Sequence, residues 1–225
     1  MNVIVTVVVA LVMFVIAALS GRAIPHAVRE AHPWLAQIVV KIVLTIESFA
    51  LMYASKKPLA TYGFRKSEGR NGKLIALAFG LGALATLVVL GAGLKGLAPI
   101  LKGYTFLDIV IGAWIISSVA EEIFVRGWFQ STIAGQVSRR AEILLSGALF
   151  GSMHASLFFA GVEPASAVVI MVSTFCLGLV TATLRARSGS LMPAIYAHVA
   201  FNVGGMFGGV IGVIAKKVAA KRAAG

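Results

Sequence analysis

Seven stretches of roughly twenty apolar residues follow one another along this chain, separated by short and mostly basic connections. They run at about 2–20, 34–55, 73–94, 107–130, 141–158, 165–184 and 190–214. Segments of that length and hydropathy satisfy their own backbone hydrogen bonds as helices in hydrocarbon, where water offers none. The fold class is therefore all-α: a polytopic transmembrane bundle of about seven or eight helices. Composition agrees, with 59% hydrophobic residues, 12% charged residues and a mean hydropathy of +0.95. Soluble domains carry about 25% charged residues.

The net charge of +12 would suggest nucleic acid in a soluble chain. Here the cations concentrate in connections, where they act as topology signals and contacts for anionic lipid. Membrane lipids are the expected partners, and nucleic acid is not. Cys176 is the only cysteine, which excludes an intrachain disulfide or a thiolate metal cluster. The first apolar run lacks a basic leader, since the first Lys or Arg is Arg22. It reads as a retained first transmembrane helix.

The organisation is read as N-terminal transmembrane helices over 1–100, a helical core over 101–215 and a basic tail over 216–225, expected to fray. The connection from Lys56 to Arg70 is the most basic, holding Lys56, Lys57, Arg65, Lys66 and Arg70 against Glu68. It should face the cytoplasm. The connections around Arg139-Arg140 and Arg185/Arg187 then fall on the same side. The basic tail falls on the other side for seven spans, so an eighth span would be needed to bring it back. Ser190 and Pro193 mark a helix start, as a cap and a first-turn proline. Gly204, Gly208 and Gly212, Gly205 and Gly209, and Gly147 and Gly151 repeat at four-residue spacing, which lets helices approach closely in lipid.

The second apolar run is interrupted by Lys41 and Glu47. The expectation is that Lys41 snorkels to the interface and Glu47 faces the bundle, with a substrate contact as the alternative. The fourth run is interrupted more heavily, by Glu121, Glu122 and Arg126. Ionisable groups at that depth point to a functional site and require partners. On a helix Glu122 and Arg126 lie at i and i+4 and can neutralise each other. Glu121 is rotated by about 100° and is left over to face something else. The alternative is that both carboxylates share Arg126 in a structural charge cluster. Phe150 and His154 share a face at i and i+4, as do His198 and Asn202. Counted from the ends of their runs, Glu121 and His198 lie at similar depth and His154 somewhat deeper, so all three can line one cavity in the cytoplasmic half.

A carboxylate and an imidazole can hold and deprotonate water, while a second imidazole with a carboxamide can stabilise an oxyanion. Two His and one Glu can also ligate zinc, although the His-Glu-x-x-His helix motif is absent. A serine nucleophile is the weaker option. Ser117 and Ser118 are near, but the sole Asp is Asp108.

These residues resemble a known family. Glu121-Glu122-x-x-x-Arg126 followed by Gly127 is similar to the first motif of the CPBP intramembrane proteases, which include CAAX prenyl endopeptidases and bacteriocin-processing or abortive-infection proteins. Phe150-x-x-x-His154 resembles the second motif and His198-x-x-x-Asn202 the third, with Gly189-Ser190-Leu191 and Pro193 as its lead-in. The resemblance covers about residues 105 to 205. It implies an intramembrane glutamic endopeptidase of the cell membrane. The substrate does not carry over with the resemblance: a membrane-associated peptide is expected, with a prenylated CAAX-like peptide as one candidate. Glu121 would be the base and His154 its partner on the attacking water. His198 and Asn202 would form the oxyanion site, with Glu122, Arg126 and Phe150 supporting. The implied mechanism has no metal and no cofactor. A zinc-dependent version of the hydrolase, a non-catalytic immunity or scaffold protein, and a proton-coupled transporter are the alternatives. The transporter reading lacks the internal symmetry it would need.

Overall fold

The computed structural model describes residues 2–98 and 101–223. Its helices are α1 (Val3–Arg22), the short α2 (His26–Ala31), α3 (Pro33–Ala54), α4 (Gly72–Gly91), α5, α6 (Arg139–Met153), α7 (Pro164–Ser188) and α8 (Met192–Ala223). Helix α5 is continuous but changes its winding. Wider i→i+5 segments, Asp108–Ile116 and Ile123–Gln130, flank an α-helical turn at Ser117–Glu122, and Ser131–Ile133 closes the helix. Among the described residues six helices are long and apolar enough to cross a membrane. Helix α5, which carries the buried charges, is the seventh long one. The all-α membrane bundle expected from the apolar runs is what forms.

Local signals set the helix ends. The Asn2 side chain accepts from Val5 N at 2.9 Å, and Ser138 accepts from Ala141 N at 3.3 Å, each capping an exposed helix start. Helix α7 begins with Pro164 and stops at Gly189, whose φ of +67° reverses the chain before Ser190 accepts from Met192 N. Within the spans, buried hydroxyls such as Ser48 and Thr181 return to their own helix, donating to Leu44 O and Leu177 O.

Glycine decides which helices touch. A Cβ on Gly204 would fall on Phe79 O, and one on Gly208 on Ala83 O. Helices α4 and α8 therefore meet backbone to backbone, as the four-residue glycine spacing predicts. Gly178 also brings α7 close to α6, where an added Cβ would stand 2.8 Å from Gly147 Cα.

One end of the bundle is clasped by the connection between α3 and α4. Leu191 N donates to Gly63 O at 2.9 Å, Arg65 Nε to Gly189 O at 2.9 Å, and Ser190 Oγ to Arg65 O at 2.7 Å. Arg185 reaches Thr61 O and Ser131 Oγ, and Arg139 reaches Ala186 O. The three basic connections thus gather at one end of the bundle, and α8 starts there. The tail expected to fray instead continues α8 as helix through Lys216, Lys217, Lys221 and Arg222 to Ala223, running away from that end. The last two tail positions, 224 and 225, lie outside the described residues.

Candidate functional site

Helix α5 runs through the middle of the bundle, and every residue from Ala120 to Gln130 is buried. No face of this stretch is left to lipid, so its polar side chains must find partners among α3, α6, α7 and α8. Glu122 and Arg126 form the expected contact, with Arg126 Nε 3.3 Å from Glu122 Oε2 and both side chains fully buried. The guanidinium also donates to Gly178 O at 2.9 Å, a carbonyl held close by the glycine contact of α6 and α7. Its Cζ lies 4.5 Å above the Phe150 ring, a cation–π arrangement in a desolvated setting.

Glu122 is not confined to that pair. Its Oε1 stands 3.0 Å from Nδ1 of His198 on α8. A carboxylate at Nδ1 fixes the imidazole so that Nδ1 carries a proton and Nε2 points onward. Nε2 faces Glu121 Oε2 at 3.8 Å, a separation that suits an intervening water. The Phe150 ring meets His198 edge-on at 5.2 Å between centroids and His154 at 5.4 Å, so one aromatic side chain backs both imidazoles.

Glu121, the carboxylate that helical spacing leaves over, has its own partners. Its Oε1 accepts from Ser117 Oγ at 2.9 Å and from the Lys41 ammonium. This corrects the expectation for Lys41. Its ammonium pairs with Glu121 instead, because α3 packs against α5. Ser117 and Lys41 are the polar partners that sequence spacing misses. A lysine in the middle of an apolar run is the available signal, but its partner lies eighty positions away.

His154 falls at the junction where α6 ends and a tighter 3₁₀ turn, His154–Phe159, begins. Its Nδ1 lies 3.0 Å from Phe150 O, which turns the ring back along its own helix. Asn202 donates to Ser118 Oγ at 3.2 Å, across from α8 to α5. The structure thus brings Glu121, Glu122, Arg126, Phe150 and His198 into one contact network. His154 joins through the Phe150 ring, and Asn202 attaches through Ser118 one turn away. A second buried polar set lies nearer the clasped end. Gln130 donates to Glu142 Oε1 at 2.8 Å and to Ala182 O at 3.0 Å, tying α5 to α6 and α7. Among the described residues no group of three His, Cys, Asp and Glu side chains has the spacing to hold a metal ion.

The network holds two carboxylates, two cations and two imidazoles, contributed by α3, α5, the end of α6 and α8. Comparison with protein families matches residues 103–204 to the family described as type II CAAX prenyl endopeptidase Rce1-like. This segment of the chain is a CPBP/CAAX-protease-family domain. All three motifs of the CAAX-protease resemblance fall inside it, on α5, α6 and α8. Lys41 falls outside it. No curated protein and no solved structure matches the chain. The match over this segment and the long apolar helices together indicate a membrane protein.

Proposed function

We propose that the chain is an intramembrane endopeptidase of the glutamic type, cutting a membrane-anchored peptide with prenylated CAAX-like peptides among its substrates. The observation that carries this reading is the buried Glu121 carboxylate facing the His198 imidazole across 3.8 Å, inside the family-matched segment. Glu121, with His154, takes a proton from water as the water oxygen bonds to the scissile carbonyl carbon. The carbonyl becomes an oxyanion, which accepts hydrogen bonds from Asn202, once the amide turns from Ser118 to substrate, and from Nε2–H of His198 in its doubly protonated form, whose Nδ1–H stays on Glu122. The C–N bond then breaks, and the proton held by Glu121 passes to the leaving amine. Glu122 holds His198 through Nδ1, and Arg126 balances Glu122 while resting on Phe150. The reaction needs no metal and no cofactor. The gathering of the basic connections at one end supports placing that end in the cytoplasm, with the site in the cytoplasmic half of the cell membrane.

The test is cleavage of a farnesylated CAAX-type peptide by purified protein in proteoliposomes. Glu121→Gln is expected to lower the rate by about 10²–10⁴-fold, the range for removing a general base. Wild-type cleavage by that variant would sink the reading. Activity that survives stringent chelation is expected, and its loss with recovery on added zinc would favour the zinc version.

A further inference from the structure

The proposed base does not stand alone with the motif residues. Lys41 sits on α3, and its side chain is 13% exposed against 8% for Glu121. Among the motif side chains Arg126 is engaged by Glu122, Gly178 O and the Phe150 ring, and the imidazoles carry no permanent charge, so Lys41 is the permanent cation in direct contact with Glu121. Without Lys41 the cluster would hold two carboxylates against one guanidinium. An uncompensated carboxylate in such a place takes up a proton rather than remain charged. A protonated carboxyl cannot accept a proton from water.

We infer that Lys41 is a positioning residue of the active site: its ammonium balances the charge of Glu121 and aims the carboxylate, so that the leading helices complete a site whose motifs lie elsewhere. This rests on the reading of Glu121 as the base. Ser117 supports the same oxygen from the α5 side, which leaves Oε2 turned toward His198 and the reacting water. The side-chain contact that Lys41 makes is with Glu121 Oε1, on the side of the carboxylate away from His198. It acts through Glu121, and that separates it from a substrate-binding lysine.

The distinguishing experiment combines kinetics with chemical labelling. Dicyclohexylcarbodiimide couples to protonated carboxyl groups in apolar surroundings, and mass spectrometry locates the adduct. Lys41→Met is expected to make Glu121 reactive and to lower kcat by about 10²-fold with little change in KM, because the base is lost while substrate contacts stay. Lys41→Arg keeps the charge and is expected to leave Glu121 unlabelled and to recover most of kcat. Lys41→Met that keeps wild-type kcat with Glu121 unlabelled overturns the inference. A change confined to KM, with Glu121 unlabelled, overturns it too, because that is how a substrate-binding lysine would behave. If Lys41→Met is too unstable to assay, the double variant Lys41→Met/Glu121→Gln decides. Removing both charges is expected to restore the stability lost by Lys41→Met, and a double variant no more stable than the single one overturns the pairing. Full activity of Glu121→Gln alone would instead defeat the reading of Glu121 as the base, and the labelling result would still decide whether Lys41 governs its charge.

Discussion

Helix α1 buries Thr6, Ala10, Met13, Ala17 and Gly21 and leaves Ile4, Val8, Leu11, Val15 and Leu19 exposed, while α5 is buried on every side from Ala120 to Gln130. The more hydrophobic of the two is the one that faces out. In water that order would be reversed, since burial of apolar area drives folding there. In lipid the outside is already apolar, so an exposed Val or Leu costs nothing and small residues mark the packed stripe. The buried centre is where charge collects, because there Arg126 reaches Glu122 and Gly178 O, and Gln130 reaches Glu142 and Ala182 O.

This contrast can be pressed from its strongest point to its weakest. Arg126→Met should lower stability by about 3–5 kcal/mol, since it strands Glu122 in a fully buried position. Denaturation in mixed detergent micelles measures this, and a loss below about 1 kcal/mol would mean that the centre of α5 is wetter than its burial indicates. Gly208→Leu should cost about 1–3 kcal/mol by the same measurement, because its side chain meets the Ala83 backbone and pushes α8 from α4. Ile16→Leu on the outer face of α1, 49% exposed, should change stability by no more than about 0.5 kcal/mol. A larger effect there would reveal a partner covering α1.

Much of this arrangement is legible in the amino-acid sequence. Helix positions follow from the length of the apolar runs, since a bilayer fixes that length. The Glu122–Arg126 contact follows from the i,i+4 spacing, a property of one helix. The approach of α4 and α8 follows in part, because Gly204 and Gly208 announce a close face without naming the partner. Contacts between helices are not legible. Lys41 cannot be matched to Glu121, because nothing in local spacing ties α3 to α5. Nor does spacing reveal that Glu122 serves both Arg126 and His198, since a carboxylate has two oxygens and the helical pattern accounts for one. Asn202 shares a face with His198, as its spacing predicts. Its amide nevertheless turns to Ser118, a partner on α5 that spacing along α8 cannot name. The basic tail suggests a loose end because it is small and charged. Ala-rich sequence with spaced Lys and Arg is also a good helix former, and with α8 already nucleated the helix extends through it.

The contact between Lys41 and Glu121 also bears on what the unit of inheritance is. Residues 103–204 match the family and contain all three motifs of the resemblance, so that segment looks transferable. Grafted behind a different pair of leading helices, it would arrive with its carboxylates, imidazoles and arginine in register and with one positive charge missing. A lineage that exchanged its first hundred residues would have to supply a cation at the same height from another helix, or abandon the chemistry while keeping the signature. Relatives that carry every motif residue therefore need not be equally able to use them, and the place to look for the difference is a single side chain in the part of the chain that shows no motif.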